Sequence, residues 1–257
     1  MTPQPKIVGI IPARYGSSRF PGKILVNVCG KPMIQRVYEH SRRSQMLDDL
    51  LVATDDSRIY DCVINFGGKA IMTGKNHQSG TDRIAEVLEK LDSDIVVNIQ
   101  GDQPLFDPEM INEAVWPMID NPEIKMSTLK IKIEENEYFD PSVVKVVTDT
   151  AGFALYFSRS LLPFPAEAKK IDVYEHIGLY VYQKDFLLKI SKMPQTPLEK
   201  IEKLEQLRVL ENGFKILVVE TKSDRTAGIS IDTPDDLKKV EEILNHQPSA
   251  GSKPAEG

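Results

Sequence analysis

Short runs of aliphatic and β-branched residues alternate along the first half of the chain with stretches whose apolar positions recur at helical spacing. That alternation is the pattern of βαβ units, in which a mostly parallel sheet is covered by helices on both faces. It predicts strands over 6–12, 49–53, 69–72 and 94–99, with helices over 32–44, 56–66 and 81–91 between them. After a helix over 108–119 the pattern changes to longer β segments at 126–133, 143–148, 153–157 and 177–182, broken by Pro163-Phe164-Pro165. Such segments suit a smaller antiparallel lobe beside the first sheet, beginning near residue 125. A strand over 214–219 and a helix over 234–244 then return to the main sheet. The expectation is one α/β domain over 1–245, with 125–213 forming the lobe, and a disordered Pro/Gly-rich tail over 246–257.

In open sheets of this kind a ligand lies beyond the carboxyl ends of the strands. Four loops therefore should converge on one cleft: 13–23, Thr54-Asp55-Asp56, 73–81 and Gln100-Gly101-Asp102. The first places Arg14, Arg19 and Lys23 around Gly16, Ser17 and Ser18, so that fixed cations and backbone N–H groups can offset the charge of a polyphosphate. It lacks the Gly-x-x-x-x-Gly-Lys-Ser/Thr spelling of a Walker loop. The 257-residue chain has a formal net charge of −6, which makes the basic loop a local device and favours a small anionic substrate over nucleic acid. Cys29 and Cys62 supply neither a disulfide framework nor metal-ligand spacing, in keeping with a reducing cytoplasm. No secretory leader and no run of ~18 apolar residues is present, so neither export nor a membrane span is expected.

Several residues beyond the loop can carry chemistry. Asp102 leaves a buried strand just after Gly101, where a carboxylate suits a magnesium ion shared with phosphate oxygens; its alternative task, capping helix 108–119, is better done by Asp107. Asp232 offers a second carboxylate or a helix start, although Thr233 before Pro234 can take the cap. The 73–83 loop can bind an anion or read a base at the helix mouth, or merely cap the helix through Ser79 or Thr81. On a helix expected over 198–211, Glu205 and Arg208 fall inside the apolar arc and must pair with each other or meet a ligand. His176 and Tyr180 share one face of their strand with Gly178, as in a pocket wall, and Arg159 ends another strand, where it can grip a carboxylate or form a surface ion pair.

Eight segments in this order carry a family resemblance: IPARYGSSRFPGK at 11–23, VATD at 52–55, QSGTDR at 78–83, NIQGD at 98–102, ALYFSR at 154–159, HIGLY at 176–180, LEQLR at 204–208 and DTPD at 232–235. From about residue 6 to 244 the chain resembles the 3-deoxy-manno-octulosonate (Kdo) cytidylyltransferases. The resemblance implies a nucleotide-diphospho-sugar transferase fold of the GT-A kind. It implies a magnesium-dependent nucleotidyltransferase that makes CMP-Kdo and diphosphate from CTP and Kdo, in cytoplasmic lipopolysaccharide biosynthesis, as a homodimer. Arg14, Ser17, Arg19 and Lys23 would then contact CTP, with Ser79 and Gly80 at cytosine and ribose. Arg19, Lys23, Asp102 and Asp232 would be catalytic, the two aspartates as metal ligands, and Gln100, Arg159, His176, Tyr180, Glu205 and Gln206 would line the sugar pocket. Ile24, Gln103 and Ser230 depart from the commoner spelling, and the Gln103 form also occurs in relatives that use 8-amino-Kdo. A GT-A glycosyltransferase would need an Asp-x-Asp motif after a strand, whereas Asp92-Ser93-Asp94 precedes one; a non-catalytic nucleotide binder would lack a metal aspartate or the basic loop.

Overall fold

An uninterrupted run such as Ile7-Val8-Gly9-Ile10-Ile11 has apolar side chains for both faces of a sheet, and it becomes the central strand. The computed structural model describes residues 4–16, 20–77, 79–166 and 171–246. In chain order the first half comprises β1 (Ile7–Ala13), a small ribbon of β2 (Asn27–Val28) and β3 (Lys31–Pro32), α1 (Met33–Ser41), β4 (Asp49–Thr54), α2 (Ser57–Asn65), β5 (Ala70–Met72), α3 (Gly80–Leu88), β6 (Ile95–Asn98) and α4 (Glu109–Asp120). The second half comprises β7 (Met126–Lys132), β8 (Lys145–Thr148), β9 (Ala154–Ser158), β10 (Tyr174–Gln183), α5 (Lys184–Ile190), α6 (Pro197–Glu202), α7 (Leu207–Glu211), β11 (Leu217–Glu220) and α8 (Pro234–His246). The expected tail beyond His246 lies outside the described residues.

The main sheet runs β11-β7-β10-β6-β1-β4-β5. β6, β1, β4 and β5 are parallel, β11 and β7 are parallel to each other, and β10 runs antiparallel to both β6 and β7. β10 spans ten residues against four in β6, so its carboxyl-terminal end pairs with β6 while Glu175 reaches β8, which carries β9. One long strand thus joins the antiparallel extension to the main sheet.

Two apolar cores lie on opposite faces. Ile7, Ile11 and Ala13 of β1 join residues of α1, α2, α4 and α8 on one side, while Val8 and Ile10 join α3, α5 and α7 on the other. The alternation expected on β10 holds: Ile177, Leu179 and Val181 enter the first core and Tyr180 and Tyr182 the second. It survives a bulge, because the register steps from Ile177↔Leu129 to Tyr180↔Thr128 and two inserted residues preserve the facing of a period-two strand.

The single helix expected over 198–211 is instead two, α6 and α7, separated at Lys203, which adopts φ 58°. Apolar residues spaced by three slip about 60° around a helix at each step, so the five at Leu198, Ile201, Leu204, Leu207 and Leu210 wrap well beyond one face. The break keeps Leu204 and Leu207 buried and leaves Ile201 75% exposed. It also places Glu205 and Gln206 at the start of the next turn, outside regular helix.

Candidate active site

The turn after β1 depends on Gly22, whose φ of 72° and close approach to the Tyr15 ring would strain any side chain. It delivers Lys23 to the carboxyl edge of the sheet. Gly101 serves the same purpose from the other side, since a Cβ there would stand 2.7 Å from Ile24 Cδ1. The Asp232 loop is tied in by its backbone, Ile231 N–H donating to Asp102 O at 2.9 Å, and by Gln103 Nε2 donating to Gly228 O at 3.2 Å. The outcome is a three-residue centre: Lys23 Nζ donates to Asp102 Oδ2 at 2.7 Å and to Asp232 Oδ1 at 2.8 Å. Burial by itself would lower the Lys23 pKa, but the facing carboxylates outweigh it and hold the ammonium above the ordinary lysine value.

Both alternative capping tasks fall to neighbours. Asp107 accepts from Glu109 N–H at the start of α4, and Thr233 forms a reciprocal cap with Asp236 at α8. Asp102 and Asp232 therefore both face the Lys23 ammonium, and the pair could also hold a metal ion. Two hard carboxylates around one point suit magnesium, which fills its remaining positions with water and phosphate oxygens. Among the described residues no group of three or more His, Cys, Asp or Glu is placed to hold a metal ion unaided, so the nucleotide would have to complete the shell.

Arg14, Ser79, Gly80, Gln100 and Asp102 line a cavity of about 240 Å³ next to this centre. Ser79 caps α3 in a reciprocal pair with Asp82, and Gly80 lets the helix mouth approach Pro12, 3.2 Å from where a Cβ would stand. Three of the four expected loops thus meet, while Thr54-Asp55-Asp56 stands behind them, Asp55 pairing with Arg83 at 3.1 Å. Ser17 and Arg19 lie outside the described residues.

A second cavity, about 450 Å³, is lined by all six proposed sugar-site residues, Gln100, Arg159, His176, Tyr180, Glu205 and Gln206, together with Asp102 and Asp232. Arg159 is no surface ion pair: its Nε donates to Glu202 O at 3.0 Å and one Nη to Pro141 O at 2.8 Å. Tyr180 Oη donates to Gln206 Oε1 at 3.2 Å, and His176 lies between Gln206 and Thr128, its ring edge-on to Phe157. Burial drives the His176 pKa down to about 3, so the imidazole is neutral at physiological pH. Burial likewise raises the Glu205 carboxyl, partly offset by a hydrogen bond with Thr81.

The side chains of Glu205 and Arg208 do not pair with each other, which is one of the two readings left open for them. Arg208 makes a bidentate pair with Glu199, at 2.8 and 2.5 Å, between residues 7% and 5% exposed. The break at Lys203 turns α7 back on α6 and brings the two together. Replacing Arg208 by alanine strands a buried carboxylate, and denaturant unfolding is expected to show a loss of about 3–5 kcal/mol. The double variant with Glu199→Leu should recover part of that loss; no recovery would deny the pair its part.

Sequence reasoning missed three residues around the larger cavity. Lys145, fully buried, donates to the carbonyls of Asp140, Val143 and Arg159 at 2.6, 2.8 and 3.2 Å, and a lysine within Val143-Val144-Lys145-Val146-Val147 was the available signal. Glu175 lines the cavity with its carboxyl pushed up to about 7 by burial. Thr128 gave no signal, because its position depends on the bulge opposite.

A cytidylyltransferase family model matches residues 8–216. The 3-deoxy-manno-octulosonate cytidylyltransferase of Trichlorobacter lovleyi is 53% identical over 251 residues, covering 93% of this chain and 98% of its own length. That of Syntrophotalea carbinolica is 54% identical over 248 residues with the same coverage. Among solved structures, a CMP:2-keto-3-deoxy-manno-octonic acid synthetase complexed with CTP superposes with a TM-score of 0.90 at 44% identity, covering 95% of this chain and 100% of that one. With the fold, the order of the loops and the matched length in agreement, the chain belongs to the 3-deoxy-manno-octulosonate cytidylyltransferase family.

Proposed function

We propose that the protein transfers the cytidylyl group of CTP to Kdo, giving CMP-Kdo and diphosphate, with the nucleotide in the smaller cavity and the sugar in the larger. The observation that carries this assignment is that Asp102 stands on the wall of both cavities, so that two ligands would meet beside the Lys23–Asp102–Asp232 centre. The anomeric oxygen of the sugar forms a bond to the α-phosphorus as the bond to the β-phosphate oxygen breaks, and the hydroxyl proton is lost to solvent or diphosphate. Positioning and charge compensation supply most of the catalysis in such a transfer.

Arg14, Arg19, Ser17 and Lys23 hold the triphosphate and stabilise the charge that develops on departing diphosphate. Backbone groups at Ser79 and Gly80, beside the amino end of α3, receive cytosine and ribose. Asp102 and Asp232 would hold magnesium, which supplies Lewis-acid polarisation of the α-phosphate and of the attacking hydroxyl. Arg159 binds the sugar carboxylate, while Gln100, Tyr180, Glu205 and Gln206 receive its hydroxyls around the neutral His176. An imidazole with so low a pKa is a hydrogen-bonding group and not the general base.

Among the described residues the four most exposed large apolar side chains, Phe139, Leu155, Phe164 and Ile201, lie in the 125–213 stretch, while Ile64, Met72 and Trp116 are exposed outside it. The concentration in that stretch supports pairing of two copies through it. Membership of this family is what supports a cytoplasmic place for the protein; among the described residues no helix is long and apolar enough to cross a membrane. Diphosphate release from CTP and magnesium, measured with Kdo, 8-amino-Kdo and sialic acid in parallel, tests the assignment. Release with Kdo is expected. Preference for the 8-amino sugar would move the assignment to that substrate, and silence with all three would overturn it.

A further inference from the structure

Thr128 has no exposed surface, and its hydroxyl lies against the bulge of β10. It contacts Leu179 O at 2.7 Å, Ile177 O at 3.1 Å and His176 Nε2 at 2.9 Å. A hydroxyl has one proton to donate, and carbonyl oxygens can only accept. With that proton directed to the carbonyls, the shorter contact being to Leu179, the Thr128 oxygen is left as an acceptor toward His176. His176 Nε2 must then carry the ring hydrogen, and Nδ1 is the bare acceptor. Gln206 Nε2 stands 3.4 Å from Nδ1 and fits that acceptor, which turns Gln206 Oε1 to receive the Tyr180 hydroxyl at 3.2 Å. Once the Thr128 proton is given to the carbonyls, which can only accept, every donor and acceptor along this path follows.

We propose that Thr128 is a positioning residue for the sugar site, fixing the tautomer of His176 and, through it, the direction of the Gln206 amide. This rests on the cytidylyltransfer reading above. His176 and Gln206 both line the larger cavity, and the amide direction decides whether a sugar hydroxyl meets a donor or an acceptor. Packing does not make that choice. Phe157 at 4.8 Å and Tyr180 at 5.4 Å between ring centroids confine the imidazole plane, but neither distinguishes one ring nitrogen's hydrogen from the other's. Without the hydroxyl, the hydrogen can sit on Nδ1, and Gln206 must turn over to offer its oxygen. The ring is buried and neutral, so the tautomer is its remaining freedom.

The test compares wild type, Thr128→Val and Thr128→Ser. Long-range proton–nitrogen correlation spectra of histidine-labelled protein, with the His176 signals assigned from a His176→Asn variant, report the tautomer directly. Diphosphate release gives KM separately for Kdo and CTP. Wild type and Thr128→Ser should show the Nε2–H form. Thr128→Val should lose that form, with KM for the sugar raised about ten-fold and KM for CTP within about two-fold, the size expected for one misdirected hydrogen bond. The inference is overturned if Thr128→Val keeps the Nε2–H form with an unchanged sugar KM. It is equally overturned if both KM values rise together and Thr128→Ser fails to restore either. Wild-type enzyme inactive with Kdo would refute the functional assignment instead, while the spectra would still decide whether Thr128 sets the tautomer.

Discussion

Replacing Asp102 by asparagine is expected to lower kcat for diphosphate release by roughly three orders of magnitude, equivalent to about 4 kcal/mol of lost transition-state stabilisation. The change removes one unit of charge from a centre where two carboxylates face one cation, with almost no change of shape. Lys23 lies 2.8 Å from the remaining Asp232 carboxylate and would neutralise it, leaving little net charge to hold a divalent ion. The same reasoning applies to Asp232→Asn, because Lys23 then keeps Asp102 at 2.7 Å. The double variant should be scarcely worse than either single one, since each alone dismantles the centre. Thermal melting should move little, because Ile231 N–H still donates to the residue-102 carbonyl and the caps of α4 and α8 use other side chains. Either single variant turning over near the wild-type rate would refute the metal assignment.

Arg159→Met is expected to cut kcat/KM for the sugar by about 10²–10³-fold, the value of a desolvated charge-assisted pair, with KM for CTP nearly unchanged. The guanidinium is held before any ligand arrives, by Glu202 O and Pro141 O. Lys145 in turn donates to the carbonyls of both Asp140 and Val143, on either side of Pro141, so the turn that steadies Arg159 is itself braced. A lysine at position 159 should recover little, because one ammonium cannot both keep the two carbonyl contacts and present a planar fork to a carboxylate. Equal losses toward CTP and sugar, or full recovery with lysine, would count against the assigned role.

The parallel strands and the helix caps are legible from short windows of sequence, and the 198–211 segment is not. Ile7 to Ile11 and Leu50 to Ala53 are continuous apolar runs, and such runs form strands buried on both faces whatever lies beside them. The cap reading at 232–236 was similarly local, because Thr233 and Asp236 are three residues apart. Over 198–211 the apolar spacing alone does not say where a wrap exceeds one face, and the residue that breaks the helix, Lys203, carries no helix-breaking signal. The pairing of Arg208 with Glu199 followed from that break and was hidden with it.

What the sequence by itself determined is what neighbouring residues decide: the alternation of strands and helices, the caps, the glycine turns, and the order of polar loops that the family resemblance rests on. Only the tertiary structure decided which distant residues meet. Lys23 and Asp232 are 209 positions apart, and they touch because parallel strands set their loops at one edge of the sheet and a backbone hydrogen bond joins the 102 and 231 positions. His176 and Thr128 likewise meet through a bulge that neither strand announces alone. Local pattern reflects how a residue's own side chain and neighbours restrict the backbone. A site assembled from separate loops depends on the register and packing of the whole sheet, which no short window of residues contains.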